Sequence, residues 1–168
     1  MIFLLKAFEI ACKRFQNLRL ILTGKPQFQS DFDILNEYLT LNDKISYLGF
    51  LDTDSYYRTL NTADIFCMTR NNSAFANAGF PFKLGEFLAS GKAVIATNVG
   101  DVGSYLKNKE NALLIMPESV DEIVSAIEFF IENPLVTKVM GENARLTAEK
   151  YFDSNKLSKQ VLSIFESI

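Results

Sequence analysis

The feature that most limits what this chain can become is a repeated alternation. Five short apolar runs, at residues 18–23, 45–48, 64–69, 93–97 and 112–116, alternate with longer stretches of helical periodicity at 3–14, 31–41, 53–61, 82–90 and 102–106. The runs are almost unbroken in apolar residues, which suits strands covered on both faces. Such strands alternating with helices predict a Rossmann-like α/β fold, a parallel sheet with helices on both faces. At 168 residues the chain is long enough for one such domain, residues 1–168.

The two ends depart from that rhythm. Past residue 116 no strand pattern remains. Ser119 and Glu122 form a capping box ahead of Ile123, Ala126, Ile127, Phe130 and Ile131, which share one helical face. Asn133-Pro134 stops that helix, and two more are expected at 135–151 and 154–166. With no strand left to join, these helices should pack outside the sheet. Phe129, Phe130, Phe152 and Phe165 would hold them to it or to a further domain. At the other end, Phe3, Leu4, Ala7, Phe8 and Ala11 have helical spacing where a doubly wound sheet ordinarily opens with a strand.

Composition narrows the chemistry. The chain has no histidine, which removes His-based triads, His metal ligands and His proton relays. No acidic cluster asks for a metal, and no cofactor is expected. A formal net charge of −3 and a pI of about 5.1 disfavour a nucleic-acid partner. Cys12 and Cys67 read as small core residues in a reducing compartment. No apolar run approaches the ~18 residues of a membrane span, and the opening Met-Ile-Phe-Leu-Leu is too short for a signal peptide.

In open α/β sheets ligands bind beyond the carboxyl ends of the strands. The residues there are Gly24-Lys25-Pro26, Gly49-Phe50, Arg70-Asn71-Asn72-Ser73 and Asn98-Val99-Gly100-Asp101. Each alone reads equally as an ordinary strand-to-helix turn; together they could line one cleft. The most informative stretch runs from Asn71 to Gly91. A loop leads to Gly79, Pro81 suits a first helical position, and the N–H groups of Phe82 and Lys83 are then free to meet an anion. Lys83 adds a cation, and Glu86 lies three residues on, on the same face. Donors for phosphates beside a carboxylate for ribose hydroxyls would suit a nucleotide; a solvated Lys83–Glu86 pair is the plain alternative. Arg70 has the same two readings, a phosphate ligand or the partner of a surface acid. Tyr56, Tyr57 and Tyr105 read as half-buried packing residues.

The segment Gly79-Phe80-Pro81-Phe82-Lys83-Leu84-Gly85-Glu86-Phe87-Leu88-Ala89-Ser90-Gly91-Lys92-Ala93-Val94-Ile95-Ala96-Thr97 resembles the nucleotide-sugar-binding segment of retaining glycosyltransferases of the GT-B fold, group 1 or family 4 type. Leu20-Ile21-Leu22-Thr23-Gly24, Ile45-Ser46-Tyr47-Leu48-Gly49, residues 57–68, Val99-Gly100-Asp101, residues 111–117 and Met140-Gly141-Glu142-Asn143-Ala144-Arg145 extend the match in order. The resemblance implies the C-terminal, donor-binding half of such an enzyme, with the N-terminal acceptor domain absent. It implies that Glu86 takes the ribose hydroxyls and that Gly79, Phe80 and Pro81 contact the donor sugar and diphosphate. It also places Leu84 near the nucleotide and Phe50 at the base. Arg70, Lys83, Gly24 and Asn77 complete the expected donor-binding set; no catalytic residue is assigned.

Two departures qualify this. Ala78 stands where the family motif has its first glutamate, with Asn77 beside it. The family's opening strand, with the Arg and Lys that follow it, would precede Met1. A fragment, a split enzyme, or substitution by the first five residues would each account for that. The runs at 18–23 and 64–69 should then either pair directly or leave a seam open to association. The expected function is transfer of a hexosyl group from a nucleotide-diphosphate sugar to a glycan or lipid-linked acceptor, with this chain incomplete and inactive alone. A non-catalytic module that pairs with a partner chain is the alternative. A separate acceptor-binding domain or a second copy is the expected protein partner, and the expected place is the cytoplasm, at the inner membrane face. A dinucleotide-binding or receiver module would need a Gly-x-Gly-x-x-Gly or an acidic cluster that the chain lacks.

Overall fold

The computed structural model describes residues 1–26 and 28–166. In chain order the elements are α1 (Ile2–Arg14), β1 (Leu20–Leu22), α2 (Gln29–Leu41), β2 (Ile45–Tyr47), α3 (Thr53–Thr62), β3 (Ile65–Met68), α4 (Ala74–Ala78), α5 (Lys83–Ala89), β4 (Ala93–Thr97), α6 (Val102–Tyr105), β5 (Leu113–Ile115), α7 (Val120–Glu132), α8 (Pro134–Tyr151) and α9 (Ser154–Glu166). Each of the five apolar runs contains a strand, and every strand pair is parallel. The short α4, capped by the Ser73 side chain on the Ala76 N–H, stands where the sequence suggested only loop.

Among the described residues the strands form two sheets, β1–β2 and β3–β4–β5, and β1 does not pair with β3. Of the two alternatives, direct pairing is not the one formed. Leu4, Ala7 and Ala11 of helix α1 join Ile95, Leu113, Ile115 and the α7 residues Ile123, Ile127 and Phe130 in one core, with half-buried Leu20, Leu22, Ile65 and Cys67 against them. One turn round the helix, Leu5, Phe8 and Cys12 pack with Ile45, Leu18 and Ile34 on the β1–β2 side. One helix thus packs against both sheets.

Strand alternation divides the rest of the core. Ala93 and Ile95 of β4 face α1 and α7; Val94 and Ala96 face the opposite side, with Leu84 and Leu88 of α5 and Ala144 and Ala148 of α8. All five residues of β4 are buried. The expectation of strands covered on both faces fails at β1, where Leu20 and Leu22 face the core but Ile21, on the other face, is 43% exposed.

The C-terminal helices follow the predicted signals. The Ser119 hydroxyl accepts the Glu122 N–H at 3.3 Å, and Pro134 opens α8. Helix α8 seats against β4 and α5 at Gly141, whose missing Cβ would overlap the Gly91 carbonyl. Helix α9 departs from the expectation of packing on the sheet. Its Val161, Leu162 and Phe165 are exposed, Phe165 at 71%, because α8 and α5 already fill the face it would need. No described helix is long and apolar enough to cross a membrane.

Candidate functional site

The segment from β3 to α5 is built around Thr97 and Arg70. Thr97, at the end of β4, is buried; its Oγ1 accepts the Arg70 N–H at 2.8 Å and its hydroxyl donates to the Met68 carbonyl at 3.2 Å. This fixes the chain as it leaves β3. The Arg70 guanidinium then donates through Nη1 to the Gly79 carbonyl at 2.7 Å. Arg70 is thereby engaged with the predicted sugar-binding loop, not with a surface acid. It also lines a cavity of about 390 Å³ at the carboxyl end of β3, with Met1, Asp31, Asn71, Phe75 and Glu118.

Asn77 is engaged too. Its Nδ2 donates to Asn72 Oδ1 and the Ser73 carbonyl, and its Oδ1 accepts the Gly100 N–H at 3.3 Å, joining the loops after β3 and β4. Gly100 is required there: its φ is +56° and a Cβ would lie 2.9 Å from the Asn77 carbonyl oxygen.

Beyond Gly79 the chain turns into α5. Leu84 N–H donates to the Pro81 carbonyl at 2.8 Å and Gly85 N–H to Phe82 at 3.3 Å. Pro81 and Phe82 thus lead into the helix, and α5 proper begins at Lys83, two residues later than Pro81 at the first helical position would give. The N–H groups of Phe82 and Lys83 still precede these first helical bonds, as the sequence suggested. Leu84 is fully buried in the core between β3, β4 and α8. Its side chain anchors α5 to the core. Phe80 also turns inward, against Tyr105 and Phe152, whereas Phe82 is 90% exposed.

Glu86 is half-buried. Its Oε2 accepts the Tyr56 hydroxyl at 2.6 Å, and Lys83 Nζ lies 5.6 Å from the centroid of the Tyr56 ring. Burial, then the Glu86 carboxylate, raise the Tyr56 phenol above the ordinary tyrosine range. Lys83 and Glu86 are therefore arranged around a third side chain. Glu86 also borders a cavity of about 480 Å³ between α5, α8 and α9, with Phe80, Phe82, Arg145 and Phe152.

Gly24 and Phe50 belong to the β1–β2 sheet. Gly24, with φ +104°, donates its N–H to the Gly49 carbonyl at 2.8 Å, and the Tyr47 hydroxyl donates to the Gly24 carbonyl at 2.7 Å. Phe50 follows directly and is 87% exposed. The structure thus joins Arg70, Asn77 and Gly79 in one hydrogen-bonded loop system, sets Lys83 and Glu86 around Tyr56, and ties Gly24 to the turn before Phe50. Sequence reasoning passed over two residues. Tyr56 looked like packing, and Thr97 like the last residue of an apolar strand; nothing local marks either.

The family model for glycosyl transferases group 1 matches residues 2–147. The chain belongs to this family. This group 1 glycosyl transferase chain is 23% identical over 150 residues to an uncharacterized glycosyltransferase of Haemophilus influenzae, covering 89% of this chain and 40% of that protein. It superposes on the crystal structure of HepE from Anabaena in complex with UDP-glucose with a TM-score of 0.85 at 22% identity, covering 100% of this chain and 45% of the other. It also superposes on the C-terminal domain of a glycosyl transferase group 1 protein, LpcC, from Francisella tularensis, with a TM-score of 0.77 at 20% identity over 89% of this chain and 77% of that one. The glycosyl transferase chain therefore has the fold of a GT-B C-terminal domain and spans about two fifths of the length of the curated relative.

Proposed function

We propose that this domain binds the donor of a hexosyl transfer, a nucleotide-diphosphate sugar, and that the acceptor, a glycan or lipid-linked glycan, is presented by an acceptor-binding domain or partner chain. The observation that carries this reading is the α5 segment. A carboxylate, Glu86, stands one turn into the helix, behind Lys83 and the Gly79–Pro81 loop that Arg70 grips. A carboxylate accepts two hydroxyls of a ribose diol well. The N–H groups at the start of α5, with Lys83, suit the diphosphate. Phe50 offers an exposed aromatic face to a base. In transfer, negative charge gathers on the leaving diphosphate, and these donors would stabilise it there. No step requires a metal or cofactor, and the place of action is the cytoplasmic membrane face.

Ala78 favours a second reading. It ends α4 with a methyl group where the family motif carries an acid, and a methyl group neither accepts a hydrogen bond nor stabilises charge. A non-catalytic module that acts by pairing with another chain fits that residue. Isothermal titration with UDP, GDP and their sugars separates the two readings. Binding that falls at least about tenfold in Glu86→Ala is expected, the scale of losing hydrogen bonds to a charged group. No heat with any nucleotide would remove the donor reading and favour the non-catalytic module. Transfer by the chain together with an acceptor domain would remove the second.

A further inference from the structure

We infer that Tyr56 is a positioning residue for the donor site, holding Glu86 so that one carboxylate oxygen is presented to the ribose hydroxyls. This rests on the reading of Glu86 given above. The carboxylate of a helical glutamate turns freely about its last torsion and samples several rotamers. Here Oε2 is taken by the Tyr56 hydroxyl at 2.6 Å. That bond crosses from α3 to α5, between residues thirty apart in the chain. It fixes the plane of the carboxylate and leaves Oε1 as the open acceptor.

The same ring carries Lys83 on its face, at 5.6 Å, a distance at which a cation is attracted to an aromatic face. Tyr56 therefore sets the anion meant for the sugar and the cation meant for the phosphate in one fixed relation. Tyr56 is itself held: its ring meets Tyr57 edge-on at 5.5 Å. Pre-ordering of this kind lowers the cost of binding a ligand that needs Glu86 and does nothing for one that does not.

The test is calorimetric titration of the full chain, and of its Tyr56→Phe and Glu86→Gln variants, with UDP and with 2′,3′-dideoxy-UDP. Tyr56→Phe keeps the ring, and with it the packing and the Lys83 contact; unchanged thermal unfolding would confirm an intact fold. The expected result is that Tyr56→Phe weakens UDP by about tenfold, the scale of losing one hydrogen bond to a charged group, and leaves the dideoxy nucleotide unchanged. In a Glu86→Gln background the Tyr56→Phe change should have no further effect on UDP. If Glu86→Gln weakens UDP and Tyr56→Phe does not, or if Tyr56→Phe weakens both nucleotides alike, the positioning role is wrong and the reading of Glu86 stands. If only GDP binds, the same titrations are made with GDP and 2′,3′-dideoxy-GDP; if Glu86→Gln leaves binding of the nucleotide unchanged, or neither UDP nor GDP binds, that reading falls and the role of Tyr56 falls with it.

Discussion

Replacing Thr97 with valine tests whether the end of β4 holds the loop system together. Valine keeps the shape of threonine and removes only the hydroxyl, so packing at this buried position changes little. Two hydrogen bonds are lost: the Arg70 N–H at 2.8 Å and the Met68 carbonyl at 3.2 Å. The Met68 carbonyl has a second lone pair, so its loss is small. The half-buried Arg70 N–H loses its acceptor, which costs about 1–3 kcal/mol. The added methyl burial returns up to ~0.8 kcal/mol. The net expectation is a loss of about 1–2 kcal/mol, a fall in Tm of roughly 3–6 °C for a chain of this size. Urea titration should show a lower midpoint with an unchanged slope. Amide exchange at Arg70 should accelerate in Thr97→Val and stay slow in Thr97→Ser, which keeps the hydroxyl. A Thr97→Val protein as stable as the parent, with Arg70 exchange unaltered, would refute the argument.

Two further outcomes follow from the backbone and the core. Gly100→Ala should destabilise by about 1–2 kcal/mol or more, because it adds both left-handed strain and a clash with the Asn77 carbonyl. Gly49→Ala, with a similar φ of +64° but open space around the Cβ, should cost less; equal costs in urea titrations would show that the clash contributes nothing. The Cys67 thiol is pushed up to about 12 by burial, from an ordinary 9.0. The unfolded thiol ionises first as pH rises, so its contribution to stability is complete below pH 9 and is lost as pH climbs towards 12. Unfolding free energy should therefore fall less steeply between pH 9 and 11 in Cys67→Ala than in the parent; parallel curves would contradict that placement of the thiol.

What was legible in the sequence was what short windows encode. The apolar runs marked the five described strands, the capping box at Ser119 and the proline at 134 marked α7 and α8, and the three-residue spacing of Lys83 and Glu86 put both on one helix. The helical spacing of Phe3 to Ala11 was equally plain, although its purpose was not. Each of these is a local pattern, set by the 3.6- and 2-residue periods and by end-capping chemistry.

Only the tertiary structure decided which of those elements meet. The split between β1 and β3, and the use of α1 to bridge it, depend on contacts between distant residues. So do the burial of Leu84, the exposure of α9, the grip of Arg70 on Gly79 and the bond from Tyr56 to Glu86. A tyrosine reads the same in sequence whether its hydroxyl reaches water or a carboxylate thirty residues away. The difference is made by where the fold sets α3 relative to α5, and no local pattern carries it.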